Sequence, residues 1–202
     1  MTVYWHLQGN SQENNVGGSD AAHSYPGLYL ASPAVPISKI HWAVNGYMWP
    51  EYKAQQASIL AALVAGSLNV ISIRPNQMTD ADFASLYSNS VANWAADVTS
   101  VLQTYLAAGM RICLVTSMLG APPSRRHLMD DLIASWRGTY CHGVADMRSD
   151  PVIQDDAGGY AANTTYFNNP DGHLTDAGQA LVYSYFKPAM DQVVRPSWFN
   201  RA

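Results

Sequence analysis

The chain has 202 residues, 48% of them hydrophobic and only 13% charged. That composition closes a real core and rules out a disordered chain, and it sets the expectation of one domain over residues 1–202. A net charge of −4 shows no basic bias, so nucleic acid is not an expected partner. Two cysteines, Cys113 and Cys141, each within an apolar run, read as buried free thiols rather than a disulfide framework. No 18-residue apolar run and no signal peptide can be read; a mature secreted chain beginning at Met1 would look the same, so the compartment stays open.

Thr2 to Gln8 reads as a first strand with Val3, Trp5 and Leu7 on one side, ending at Gly9-Asn10-Ser11. Gln12 to Pro36 is rich in Gly, Ser, Asn and Pro, which argues against a long helix and suggests a partly ordered wall over a site, with Tyr25 and Tyr29 in it. Lys39 to Val44 is a second strand closed by Asn45-Gly46. Pro50 to Ala65 is a helix whose stripe is Ile59, Leu60, Leu63 and Val64. Asn69 to Arg74 is a third strand running into Pro75-Asn76-Gln77. Asp80 to Ala108 is helical in at least two pieces, stopped by Gly109. A fourth strand, Arg111 to Thr116, precedes a helix from Ser124 to Arg137, and Cys141 to Ala145 is a short fifth strand. A last helix starts near Thr175, which can cap it, and Pro188 kinks or ends it. Alternation of strands with helical patterns predicts a three-layer α/β/α sandwich around a five-stranded parallel sheet.

Ligands bind open parallel sheets at the carboxyl ends of the strands. Ser11 follows the first strand, Gly46 the second and Asn76 the third, while His173 sits on the loop before the last helix. Acyl transfer needs a nucleophile, a base and donors for an oxyanion. Ser11 can supply the first and His173 the second. Gly46 offers a bare backbone N–H and Asn76 a side-chain N–H.

Gly9-Asn10-Ser11, Asn45-Gly46, Pro75-Asn76 and Asp171-Gly172-His173-Leu174-Thr175 together resemble the four blocks of the SGNH hydrolases, the GDSL-type lipases and esterases, in the same order across nearly the whole chain. The resemblance implies a flavodoxin-like sheet and hydrolysis of esters, often small acyl groups on carbohydrates or lipids, with no cofactor. It implies Ser11 as nucleophile, His173 as general base, and the backbone N–H of Ser11 with Gly46 and Asn76 as the oxyanion hole. Asn10 stands where the first block usually has Asp. Arg74 and Gln77 replace the Gly and Asp of the third block, so Arg74 either enters the cleft or turns to solvent and pairs with an acid. Asp171 lies two residues before His173, not three. It is either the acid of a triad or bypassed in a dyad oriented by a carbonyl such as that of Pro170.

Tyr47, Trp42 and Trp49 flank Gly46 and are either core or pocket lining; Arg74, Tyr47 and Trp49 are the candidate substrate-lining residues. Asp130-Asp131 and Asp155-Asp156 read as solvated carboxylates, since adjacent helix residues point apart. His6 and His127 belong to no metal-ligand pattern, so no metal site is expected, and the nucleotide-binding glycine motifs are absent. The expected activity is a serine esterase for short acyl groups, acetyl above all, acting on a small-molecule or carbohydrate ester. The alternative is a degenerate member of the same fold that binds carbohydrate without turnover.

Overall fold

A computed structural model describes residues 2–117, 123–168 and 172–195. Five strands form one sheet: β1 (Val3–Leu7), β2 (Ile37–His41), β3 (Leu68–Ile73), β4 (Arg111–Val115) and β5 (Gly143–Ala145). Their spatial order is β2-β1-β3-β4-β5 and every pairing is parallel, with Val3 opposite both Ile37 and Leu68. This is the flavodoxin-like three-layer sandwich expected from the sequence.

Side chains alternate across the pleat and divide the core in two. Val3, Trp5, Leu7, Val70, Cys113 and Val115 face one layer, where α1 (Tyr25–Ala31) and α8 (Asp176–Val194) pack. Ile71, Ile73, Ile112 and Leu114 face the other. That layer is built from α2 (Trp49–Ala54), α3 (Gln56–Ala61), α4 (Asp80–Tyr87), α5 (Val91–Ala107) and α6 (Pro123–Ser135). A short α7 (Gly159–Ala162) completes the described helices. Both cysteines are buried and free. No described helix is long and apolar enough to cross a membrane.

Four expectations are corrected. Tyr25 and Tyr29 are not a wall over the site: they lie in α1, 1% and 0% exposed, with both rings against Phe186 of α8. Ser24 caps that helix and Pro26 sits in its first turn, which is how a Pro-containing stretch still forms seven helical residues. The second strand starts two residues early, at Ile37. The single helix expected over Pro50 to Ala65 is two, broken at Gln55, whose side chain donates to the Trp42 carbonyl and accepts from Gln8. Finally, Pro188 does not end the last helix: α8 runs past it to Val194. Pro188 and Ser184 are both exposed, so the carbonyl that loses its helical partner faces water rather than the core.

Candidate active site

β1 delivers Gly9-Asn10-Ser11 to the carboxyl edge of the sheet, and hydrogen bonds then fold residues 9–16 into a compact turn. Asn10 Oδ1 accepts from the Gln12 N–H (3.0 Å), the Asn10 N–H donates to Glu13 Oε2 (2.7 Å), and the Val16 N–H donates to the Ser11 carbonyl (2.9 Å). The carbonyl acceptor that Asn10 keeps in place of an aspartate is thus in use.

His173 is carried by the loop that opens α8. Phe167 and Leu174 form an antiparallel bridge, the Asn168 N–H donates to the His173 carbonyl (2.7 Å), and Thr175 caps α8 through the Gly178 N–H (3.2 Å). Gly17 presses on this loop: its φ is +107°, and a Cβ there would lie 2.7 Å from the His173 Cβ. The two loops meet with His173 Nε2 2.9 Å from Ser11 Oγ, both residues half-buried. That distance is a hydrogen bond along which a neutral imidazole can take the hydroxyl proton.

Gln12 joins the same two loops. Its side-chain amide donates to the Gly172 carbonyl (3.1 Å) and accepts from the Leu174 N–H (3.0 Å), bracketing His173 on both sides. Its own carbonyl accepts from Gln179 of α8 (2.8 Å). Sequence reasoning passed over Gln12, because a polar residue after a turn carries no motif.

The remaining candidates divide. Gly46 is exposed, with φ +82° and open space where a side chain would go. Its loop is tied to the Ser11 turn by Asn14 Nδ2, which donates to Asn45 Oδ1 (2.8 Å), and by the Val44 N–H on the Gly9 carbonyl (3.1 Å). No hydrogen bond within the described residues uses the backbone N–H of Ser11 or Gly46. Asn76 is 5% exposed, and its Nδ2 lies 2.7 Å from Ser117 Oγ and 2.6 Å from Asp130 Oδ1. Tyr47 is half-buried against the second core. Asp171 and Pro170, on which the choice between triad and dyad turns, lie outside the described residues.

Two candidate lining residues are corrected. Trp49 is 0% exposed and donates its indole N–H to Asp97 (3.0 Å), because its ring fills the core beneath α2. Arg74 neither enters a cleft nor reaches solvent. It is buried under the nucleophile turn, where it donates to Asn10 Oδ1 (3.1 Å) and lies 3.6 Å from Glu13 Oε2. Burial pulls the guanidinium pKa down, and Glu13, together with smaller contributions from Tyr52, Tyr25 and Tyr160, more than offsets it, so the group stays charged. Glu13 Oε1 accepts from the Tyr25 hydroxyl (2.8 Å), whose own pKa burial pushes up.

Of the carboxylates read as solvated, Asp131 is exposed and pairs with Arg148 (2.8 Å), but Asp130 is fully buried. Asp156 pairs with Arg126 and His127, and Asp155 accepts from the Gly158 N–H. His6 is buried in β1 between Trp42 and Asn69. Among the described residues, no cluster of three or more His, Cys, Asp or Glu side chains is placed to hold a metal ion.

No protein-family model matches this sequence. No curated protein matches it either. Solved structures do. The chain is similar to TesA (TM-score 0.66, 16% identity, 95% of this chain and 99% of that one). It is also similar to a catalytic mutant of Axe2, an acetylxylan esterase from Geobacillus stearothermophilus (TM-score 0.62, 15% identity, 96% of each chain). A third is a member of the lipolytic protein G-D-S-L family from Veillonella parvula (TM-score 0.60, 10% identity, 91% of this chain and 95% of that one). The fold of this chain is the SGNH hydrolase fold that these structures share.

Proposed function

We propose that the protein is a carboxylic ester hydrolase acting through Ser11, with residues 1–202 as one SGNH hydrolase-like domain. The observation that carries this reading is the 2.9 Å contact between Ser11 Oγ and His173 Nε2 at the carboxyl edge of the sheet. In the proposed reaction His173 Nε2 takes the Ser11 proton as Oγ attacks the ester carbonyl. The Ser11 and Gly46 N–H groups and Asn76 hold the oxyanion. The imidazolium then returns the proton to the leaving alcohol, and water attacks the acyl-enzyme by the same route. No cofactor enters these steps. Asp171 is assigned as the acid that orients His173 through Nδ1.

The substrate proposed is a short acyl ester, acetyl above all, of a small molecule or a carbohydrate. Val16 and Val44, 36% and 40% exposed, flank the nucleophile turn through their backbone bonds to Ser11 and Gly9, and they offer apolar contact at the rim. The acetylxylan esterase among the neighbours supports the same class. Hydrolysis rates on 4-nitrophenyl acetate, butyrate and octanoate test it. The rate should fall from acetate to octanoate. A preference for octanoate would overturn the short-acyl assignment.

A further inference from the structure

Asp130 is a buried carboxyl that the proposed reaction leaves without a role. It lies on α6, 0% exposed, and reaches across to the loops that follow β3 and β4. Its Oδ1 accepts from the Ser117 N–H (2.8 Å), from the Ser117 hydroxyl (2.7 Å) and from Asn76 Nδ2 (2.6 Å). Asn76 Nδ2 is also 2.7 Å from Ser117 Oγ.

Asn76 Nδ2, Ser117 Oγ and Asp130 Oδ1 are therefore 2.6, 2.7 and 2.7 Å apart, close to an equilateral triangle. The two acceptors subtend about 60° at the nitrogen, whereas the two N–H bonds of a planar amide diverge by about 120°. One N–H is shared between both acceptors, as in other three-centre bonds, and the second is directed away from them. The carboxyl oxygen also decides which end of the amide faces it. Reversed, Asn76 would set its carbonyl oxygen against two oxygens, one of which has already given its proton to Asp130. The anchor does not depend on ionisation, because a proton on Oδ2 leaves the lone pairs of Oδ1 in place.

Resting on the proposed hydrolysis, we infer that Asp130 is a positioning residue: it anchors the Asn76 amide through one N–H and keeps the other available to the oxyanion. Asp130 touches no substrate atom. Its effect passes through Asn76, and a double-mutant cycle reads that dependence directly.

Removing an oxyanion donor costs about 10²–10³ in kcat, so Asn76→Ala should lose that much. Asp130→Ala, which removes the acceptor from the Asn76 amide, should lower kcat by roughly 10- to 100-fold and leave KM within about twofold. In the Asn76→Ala background the same change should cost less than about twofold, with thermal melts confirming that each variant is folded. Equal losses in both backgrounds overturn the inference and leave the proposed function standing. A wild-type protein with no Ser11-dependent hydrolysis overturns both. Should Asp130→Ala fail to fold, Asp130→Leu refills the buried volume without an acceptor and is put through the same cycle. A kcat unchanged by that substitution counts against the anchor.

Discussion

Arg74 and Glu13 face each other with side chains 1% exposed. A charge in such a place costs several kcal/mol in desolvation unless a partner holds it. Here the partner is Glu13, and Asn10 Oδ1 takes a further hydrogen bond. Arg74→Met removes the cation and leaves Glu13 buried. The expected loss is about 3–5 kcal/mol in a urea unfolding experiment. Adding Glu13→Gln should recover part of it, since the stranded charge is then gone. A loss below about 1 kcal/mol for the single variant would mean that the pair does not carry the turn. The sequence reading that paired Arg74 with an acid set the pair in solvent, and the burial was not anticipated. Charge reads as surface in a single sequence, and only the fold shows that the Arg74 position comes to lie under the Glu13 position, 61 residues away along the chain. Asp130 was misread for the same reason.

At the level of elements, Gln12 sets the nucleophile turn against the start of α8. Its two side-chain bonds span His173, and a shift of about 1 Å in a base can cost 10²-fold. Gln12→Ala should lower kcat by between about 10- and 100-fold with little change in KM. A kcat within twofold of wild type would show that the Phe167–Leu174 bridge holds the loop unaided. In β1, His6 accepts from Trp42 at Nδ1 (3.2 Å) and faces Asn69 at Nε2 (3.4 Å). Burial lowers its pKa. With the folded pKa below an unfolded value of about 6.5, the unfolded chain takes up the proton more readily. The stabilisation is therefore complete above that value and is lost as the pH falls below it. Between pH 7.5 and 5.5 the fall in Tm should be smaller for His6→Gln than for wild type; an equal fall would contradict this. β3 and β4 were legible because continuous apolar runs mark buried parallel strands. The break at Gln55 was not, because it depends on side-chain bonds to Gln8 and Trp42, just past the ends of β1 and β2.

Across the whole molecule, the chain passes from β1 outward to β2 and then returns to place β3 on the other side of β1. That reversal opens a crevice at the carboxyl ends of β1 and β3, where flavodoxin-like sheets bind ligands. Ser11 leaves β1 and Asn76 leaves β3 at this crevice, and α8 brings His173 in from the far end of the sequence. The order of the four blocks was legible from turn residues at strand ends, and it correctly anticipated that Ser11 and His173 would meet. The supports of the site were not legible: Gln12, Glu13 and Asp130 belong to no motif and acquire their places only through packing. The claim that Ser11 is a nucleophile activated by His173 is tested most directly by a fluorophosphonate, which labels an activated serine whatever the natural ester. The account predicts one equivalent of label on Ser11 in the wild type, none in Ser11→Ala, and labelling slowed at least about 10³-fold in His173→Ala. A folded wild-type protein that stays unlabelled would contradict it and leave the carbohydrate-binding alternative in its place, and one labelled equally fast without His173 would contradict the activation of Ser11 by His173.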